Sequence, residues 1–168
     1  AASGFALAEK IKKSSEKVFG IMGDGEAQEG QVYEMMNFAN KYKLNNFILF
    51  VDFNEVQLSA SLEEIMPLHL KAIFEAGNWH VIEIDGHDYE KMWEALKNAY
   101  EENEKPVVII GKTVMGQGVE GMEEQGKEKK ATWHGNAPSK EIASSMIEKL
   151  KLTNEEEGLI KDAIKNGI

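Results

Sequence analysis

The chain has 168 residues, 42% of them hydrophobic, a net charge of −10 and no cysteine. That length suits one domain burying roughly 70% of its unfolded surface, and the missing thiols exclude a disulfide framework or a thiolate metal site and fit a reducing cytosol. All 19 basic residues are lysines; the acidic balance excludes non-specific nucleic-acid binding, and no apolar run approaches the roughly 20 residues of a membrane span.

Without arginine the chain also lacks the guanidinium forks that usually grip phosphates. A phosphate ligand would need a metal ion and backbone amides for neutralisation. Residues 2–14 carry Phe5, Leu7, Ala8 and Ile11 at helical spacing. Lys17 to Met22 reads as a short strand running into Gly23-Asp24-Gly25. A helix is expected from Gln28 to Lys41, with Val32, Met35, Met36 and Ala39 on one face. Asn46 to Asp52 is a continuous apolar run, as in a strand covered on both sides.

Leu62 to Phe74 has helical spacing, in which Pro67 must kink the helix or sit at its first turn. A third strand spans Trp79 to Ile84, and Asp88 is placed to cap a helix bearing Tyr89, Met92, Trp93, Leu96 and Tyr100. Pro106 to Gly111 is the fourth strand. The segment from Thr113 to Gly135 is rich in glycine and has no period, as in a lid or binding loop. Helices over 139–151 and 154–166 close the chain. Strands alternating with helices predict a three-layer α/β fold with a mostly parallel sheet and helices on both faces. Ligands in such folds bind at the carboxyl ends of the strands.

At one such end, Gly23 and Gly25 let the backbone turn sharply and approach a ligand. Amides at the start of the next helix, around Glu26 to Gln28, can receive phosphate oxygens. Thirty residues after Asp24 comes Asn54, at the end of the neighbouring strand. An Asp carboxylate, an Asn amide oxygen and a backbone carbonyl are hard ligands suited to magnesium, and calcium or manganese can substitute. Taken alone, GDG is a common turn tripeptide; its strand, helix and distant asparagine give it meaning.

The text GDGEAQEGQVYEMMNFANKYKLNNFILFVDFNEVQ resembles the transketolase branch of thiamine-diphosphate enzymes. EIDGHD (83–88), KPVVIIGKTVMGQG (105–118) and WHGNAP (133–138) are similar to further transketolase segments in the same order. The resemblance spans about residues 1–150 and is nearest to the N-terminal subunit of split transketolases. It implies a single diphosphate-binding domain over 1–168, lacking its N-terminal portion. It further implies a magnesium site at Asp24, Asn54 and the Val56 carbonyl, with Gly23, Gly25 and Glu26 beside the diphosphate. Glu29 matches a glutamate that links paired active sites, and His134 one that lies near diphosphate and substrate.

The implied activity is two-carbon ketol transfer between ketose and aldose sugar phosphates, with thiamine diphosphate and Mg2+ as cofactors. The implied partner is a C-terminal, pyrimidine-domain transketolase subunit, within a homo- or hetero-oligomer in the cytoplasm. Alone, the chain would be inactive and would expose apolar surface around the Glu29 helix. Rival readings are 1-deoxyxylulose-5-phosphate synthase, a 2-oxo acid dehydrogenase component, or a non-catalytic module of the same fold. The chain departs from the family at Glu55, where glycine is usual, at Leu58-Ser59-Ala60, and over Phe74–Trp79.

Other signals carry less. Gly116 to Gly121 fits GxGxxG, but MEEQGKEKK does not open a dinucleotide-type helix. His69 and His80 read as ordinary histidines, and His87 as part of an Asp-Gly turn beside a helix cap. Lys127, Lys129 and Lys130 read as a solvated patch.

Overall fold

In the computed structural model, which describes residues 1–166, the apolar runs become four parallel strands. These are β1 (Val18–Gly23), β2 (Phe47–Phe53), β3 (His80–Asp85) and β4 (Val107–Lys112), in the order β1-β2-β4-β3. Alternate side chains of β2 and β4 point to opposite faces. Phe47, Leu49, Val51, Val108 and Ile110 meet α1 (Ala2–Ile11), α2 (Gly30–Lys41) and α4 (Leu70–Ala76) through Ala6, Met36, Ala39, Leu70 and Phe74. Ile48, Val107 and Ile109 meet Ala95 and Ala99 of α5 (Tyr89–Glu101) on the other face. The expected three-layer architecture is therefore present.

Strand limits fall within a residue of the sequence reading; three helical segments do not. The helix expected from Gln28 is preceded by a separate 3-10 turn, Glu26–Gln28, because Glu29 takes an extended conformation with ψ 134°. The expected 62–74 helix is broken into α3 (Leu62–Ile65), which opens on a Ser61–Glu64 capping box, and α4. Pro67 lies in the break, where its ring would clash inside a continuous helix. The 113–135 segment is not structureless either, since Met122–Lys127 form α6. A β-carbon on Gly126 would lie 2.1 Å from the Met115 carbonyl oxygen, so only glycine allows these two backbones to meet. Helices α7 (Lys140–Lys149) and α8 (Asn154–Lys165) fall within the two expected C-terminal segments, and Ser139 and Thr153 cap them.

The layer containing α5 covers β2, β4 and β3 but leaves β1 bare. Phe19 and Ile21 of β1 are 49% and 80% exposed, and with Phe50, Trp93, Leu96 and Tyr100 they line a groove of about 720 Å³. The exposed apolar surface was expected around Glu29. On the Glu29 helix, Tyr33 is 36% exposed among the polar Gln31, Glu34 and Asn37, less than Phe19 and Ile21 of this groove. Among the described residues no helix is long and apolar enough to cross a membrane.

Candidate functional site

Four parallel strands bring four segments to one edge of the sheet: Gly23–Gly30, Asp52–Val56, Asp85–Asp88 and the start of 113–135. Gly23 pairs in register with Asp52, and the Asp24 amide donates to the Asp52 carbonyl at 3.2 Å. The separate exits of β1 and β2 are thus fastened together beside Asp24 and Asn54.

Asp24 is the one buried charged residue among those described, 2% exposed and without an ion pair. Its carboxylate accepts the Glu55 amide at 2.6 Å. Burial pushes its carboxyl above the ordinary value; the Glu55 and Gly25 amides pull against that rise, and the nearby Asp52 and Glu55 carboxylates add to it. A buried anion in this state lacks a counter-charge. Nearby, Asn54 Oδ1 accepts the Val56 amide at 2.9 Å, and its Nδ2 reaches the Asp52 carboxylate at 3.5 Å. The Val56 carbonyl accepts no hydrogen bond from the described residues. No three His, Cys, Asp or Glu side chains cluster as a metal site among the described residues. The donor set here is different: one carboxylate, one amide oxygen and one free carbonyl, the hard oxygens that magnesium takes. The residues fit the ion.

The hairpin that carries Asn54 and Val56 is firmly pinned. Val56 bridges Ser61, the Gln57 amide donates to Ala60 at 2.9 Å, and the Leu62 amide donates to Glu55 at 2.9 Å. Glu55 sits at φ 58°, left-handed backbone that favours glycine, the residue that the resemblance leads one to expect here. Lys129 compensates with an ion pair to Glu55 at 2.9 Å.

Gly23, Gly25 and Glu26 also lie at this exit. The Glu26 carboxylate folds back to accept the Gly23 amide at 2.7 Å, so both close the turn on themselves. His134 is exposed and its amide donates to Ala131 at 3.0 Å. Its loop reaches the ligand hairpin through Gly135, where an added β-carbon would lie 2.5 Å from Leu58 Cδ1. Glu29 is exposed at the start of α2, and its side chain has no hydrogen-bond partner among the described residues.

Three contributors escaped sequence reasoning. Thr113 Oγ1 donates to the Asp52 carboxylate, fixing the root of the glycine-rich segment to β2. His87 Nε2 accepts the Val114 amide at 2.8 Å, so this imidazole is more than a turn residue. Gln57 lies against Gly25. The DGHD text offered a hint for His87; Thr113 and Gln57 carry no local signal.

The transketolase, thiamine diphosphate binding domain family matches residues 5–165. Human transketolase is 37% identical over 153 residues, which are 89% of this chain and 23% of that protein. An apulose-4-phosphate transketolase subunit from Phocaeicola vulgatus is 35% identical over 159 residues, 90% of this chain and 55% of that protein. The crystal structure of Campylobacter jejuni transketolase superposes with a TM-score of 0.71 at 35% identity, over 75% of this chain and 21% of that one. The chain thus spans about a quarter to about half of the length of these curated relatives. Over the matched residues, and with the same fold, it belongs to the transketolase thiamine diphosphate binding domain family.

Proposed function

We propose that the chain is a single diphosphate-binding domain that forms one half of a transketolase active site. Asp24, Asn54 and the Val56 carbonyl hold Mg2+, which calcium or manganese can replace. The Gly25 amide meets the diphosphate, and Gly23 and Glu26 shape the turn that presents it. The observation that carries this reading is the buried, unpaired Asp24 carboxylate fastened beside Asn54. When bound, thiamine diphosphate supplies the two-carbon carrier chemistry. The residues of this chain bind and orient it, neutralise its diphosphate through the metal they hold, and shelter it from water beneath the 113–135 segment.

The activity proposed is ketol transfer between ketose and aldose sugar phosphates in the cytoplasm, with His134 beside diphosphate and substrate. A pyrimidine-domain subunit is the partner, with Glu29 facing it within an oligomer. The relative from P. vulgatus is itself named as one subunit of a transketolase, and the bare β1–α5 groove is apolar surface that an assembly would cover. Nucleic acid has no place in this reading at a net charge of −10.

Calorimetry of thiamine diphosphate with magnesium, with and without a pyrimidine-domain transketolase chain, tests it. Weak metal-dependent binding alone, tightened by the partner together with ketol transfer, is expected. Robust ketol transfer by the isolated chain would refute the half-site reading, and no metal-dependent binding in either case would refute the site.

A further inference from the structure

The exit that holds Asp24 contains a second polar group with no partner. Gln57 Nε2 is fully buried and has no hydrogen-bond partner in the described structure. A donor in that state has given up water for nothing, unless an acceptor arrives from outside the chain. Its location is specific: a β-carbon built on Gly25 would lie 3.8 Å from Cγ, Cδ and Nε2 of Gln57, so the carboxamide faces the turn across the space that glycine leaves open. Nor is the Gln57 backbone free to drift, held by the Ala60 carbonyl and flanked by the Val56–Ser61 bridge.

We propose that Gln57 is a diphosphate-binding residue, whose Nε2–H donates to an oxygen of the group received at Gly25. This deepens the function proposed above and rests on it. The chemistry of the exit favours an amide. With Asp24, Asp52 and Glu55 crowded together, a lysine would pair with Asp24 and compete with the metal. A neutral carboxamide donates to phosphate oxygen without doing so. In a chain with no arginine, it supplies a side-chain donor that a guanidinium would otherwise provide.

A purely structural glutamine and a ligand donor respond oppositely to Gln57→Leu, which keeps the volume and removes the unpaired donor. Thermal unfolding of the full chain is followed without ligand, with magnesium and millimolar inorganic pyrophosphate, and with magnesium and thiamine diphosphate. The leucine variant should melt higher than wild type when ligand-free, yet bind magnesium pyrophosphate roughly tenfold more weakly, the loss of one charge-assisted hydrogen bond. Gln57→Glu, which sets a carboxylate against the diphosphate, should weaken binding further. Unchanged affinity in Gln57→Leu overturns the proposal, and so does a variant that loses ligand-free stability while keeping its affinity. A wild-type response to pyrophosphate but not to thiamine diphosphate overturns the cofactor reading and leaves the donor role standing. No response to either overturns both.

Discussion

The two ends of the same sheet treat their polar groups differently. At the amino ends of the strands, Lys10 donates to the Lys43 carbonyl, Lys17 to the carbonyls of Asn45 and Glu102, Asn45 to Asn103, and Asn78 to Asn40. Among the described residues only Asn46 Oδ1 is left buried without a partner there, while Asn46 Nδ2 donates to the Ala6 carbonyl. Lys17 shows how this end copes: burial lowers its pKa, and the nearby Glu102 carboxylate counteracts that. At the carboxyl ends, Asp24 is buried and, among the described residues, has no counter-charge, Gln57 Nε2 no acceptor and the Val56 carbonyl no donor. One end uses its polar groups to hold strands and loops together; the other carries the groups proposed to meet a cation and a diphosphate. Stability and function are thus separated along the strand direction, as expected of parallel sheets that bind ligands at one edge.

Substitutions at the two ends should therefore fail in different assays. The largest effect is expected for Asn54→Ala, which removes a proposed metal ligand while the hairpin keeps its Val56–Ser61 bridge. Metal-dependent retention of thiamine diphosphate, followed by calorimetry, should fall by more than tenfold with the circular dichroism spectrum intact. At the opposite end, Asn45→Ala removes the bond to Asn103 and should cost about 1–2 kcal/mol in denaturant unfolding. Cofactor binding should be unaffected; a matching loss of binding would break the separation. Between the two stands Thr113→Val, which strips the Asp52 carboxylate of its hydroxyl donor. A stability loss of about 1 kcal/mol is expected, together with faster amide exchange from Thr113 to Gly118. The smallest effect belongs to the surface pair Glu55–Lys129. Lys129→Ala should change stability by less than about 1 kcal/mol and lose even that in high salt. Glu55→Gly relieves the left-handed backbone and should stabilise the chain by a few tenths of a kcal/mol or leave it unchanged.

The difference between the ends also explains what the sequence disclosed. Continuous apolar runs define β2 and β4 because both faces of each are covered, and parallel neighbours then bring Asp24 and Asn54 to one edge. The Asp88 cap and the Ser139 helix start follow from side-chain chemistry within one turn. What stayed hidden depends on contacts between distant segments. Thr113 meets Asp52, His87 meets Val114 and Gln57 meets Gly25 only after the sheet has formed. The bare groove was not foreseen for a similar reason: Phe19 and Ile21 lie in a short apolar strand, and their exposure depends on which strands α5 covers. Helix α6 was missed because close packing of Gly126 on Met115 stabilises a segment without apolar periodicity.

The central claim is that Asp24 is held as an anion awaiting a cation, and Asp24→Asn tests it most directly. Because burial raises the pKa of Asp24 in the folded chain, keeping it charged costs stability. Ligand-free wild type should be favoured below the ordinary carboxylate pKa and lose this advantage as pH rises through the raised folded value. The asparagine variant lacks that titration, so its stability relative to wild type should increase over the same window. Thermal unfolding across pH, repeated with magnesium and thiamine diphosphate at neutral pH, reads both halves of the claim. The account predicts a ligand-dependent rise in melting temperature for wild type and none for Asp24→Asn; an equal rise in both would contradict it.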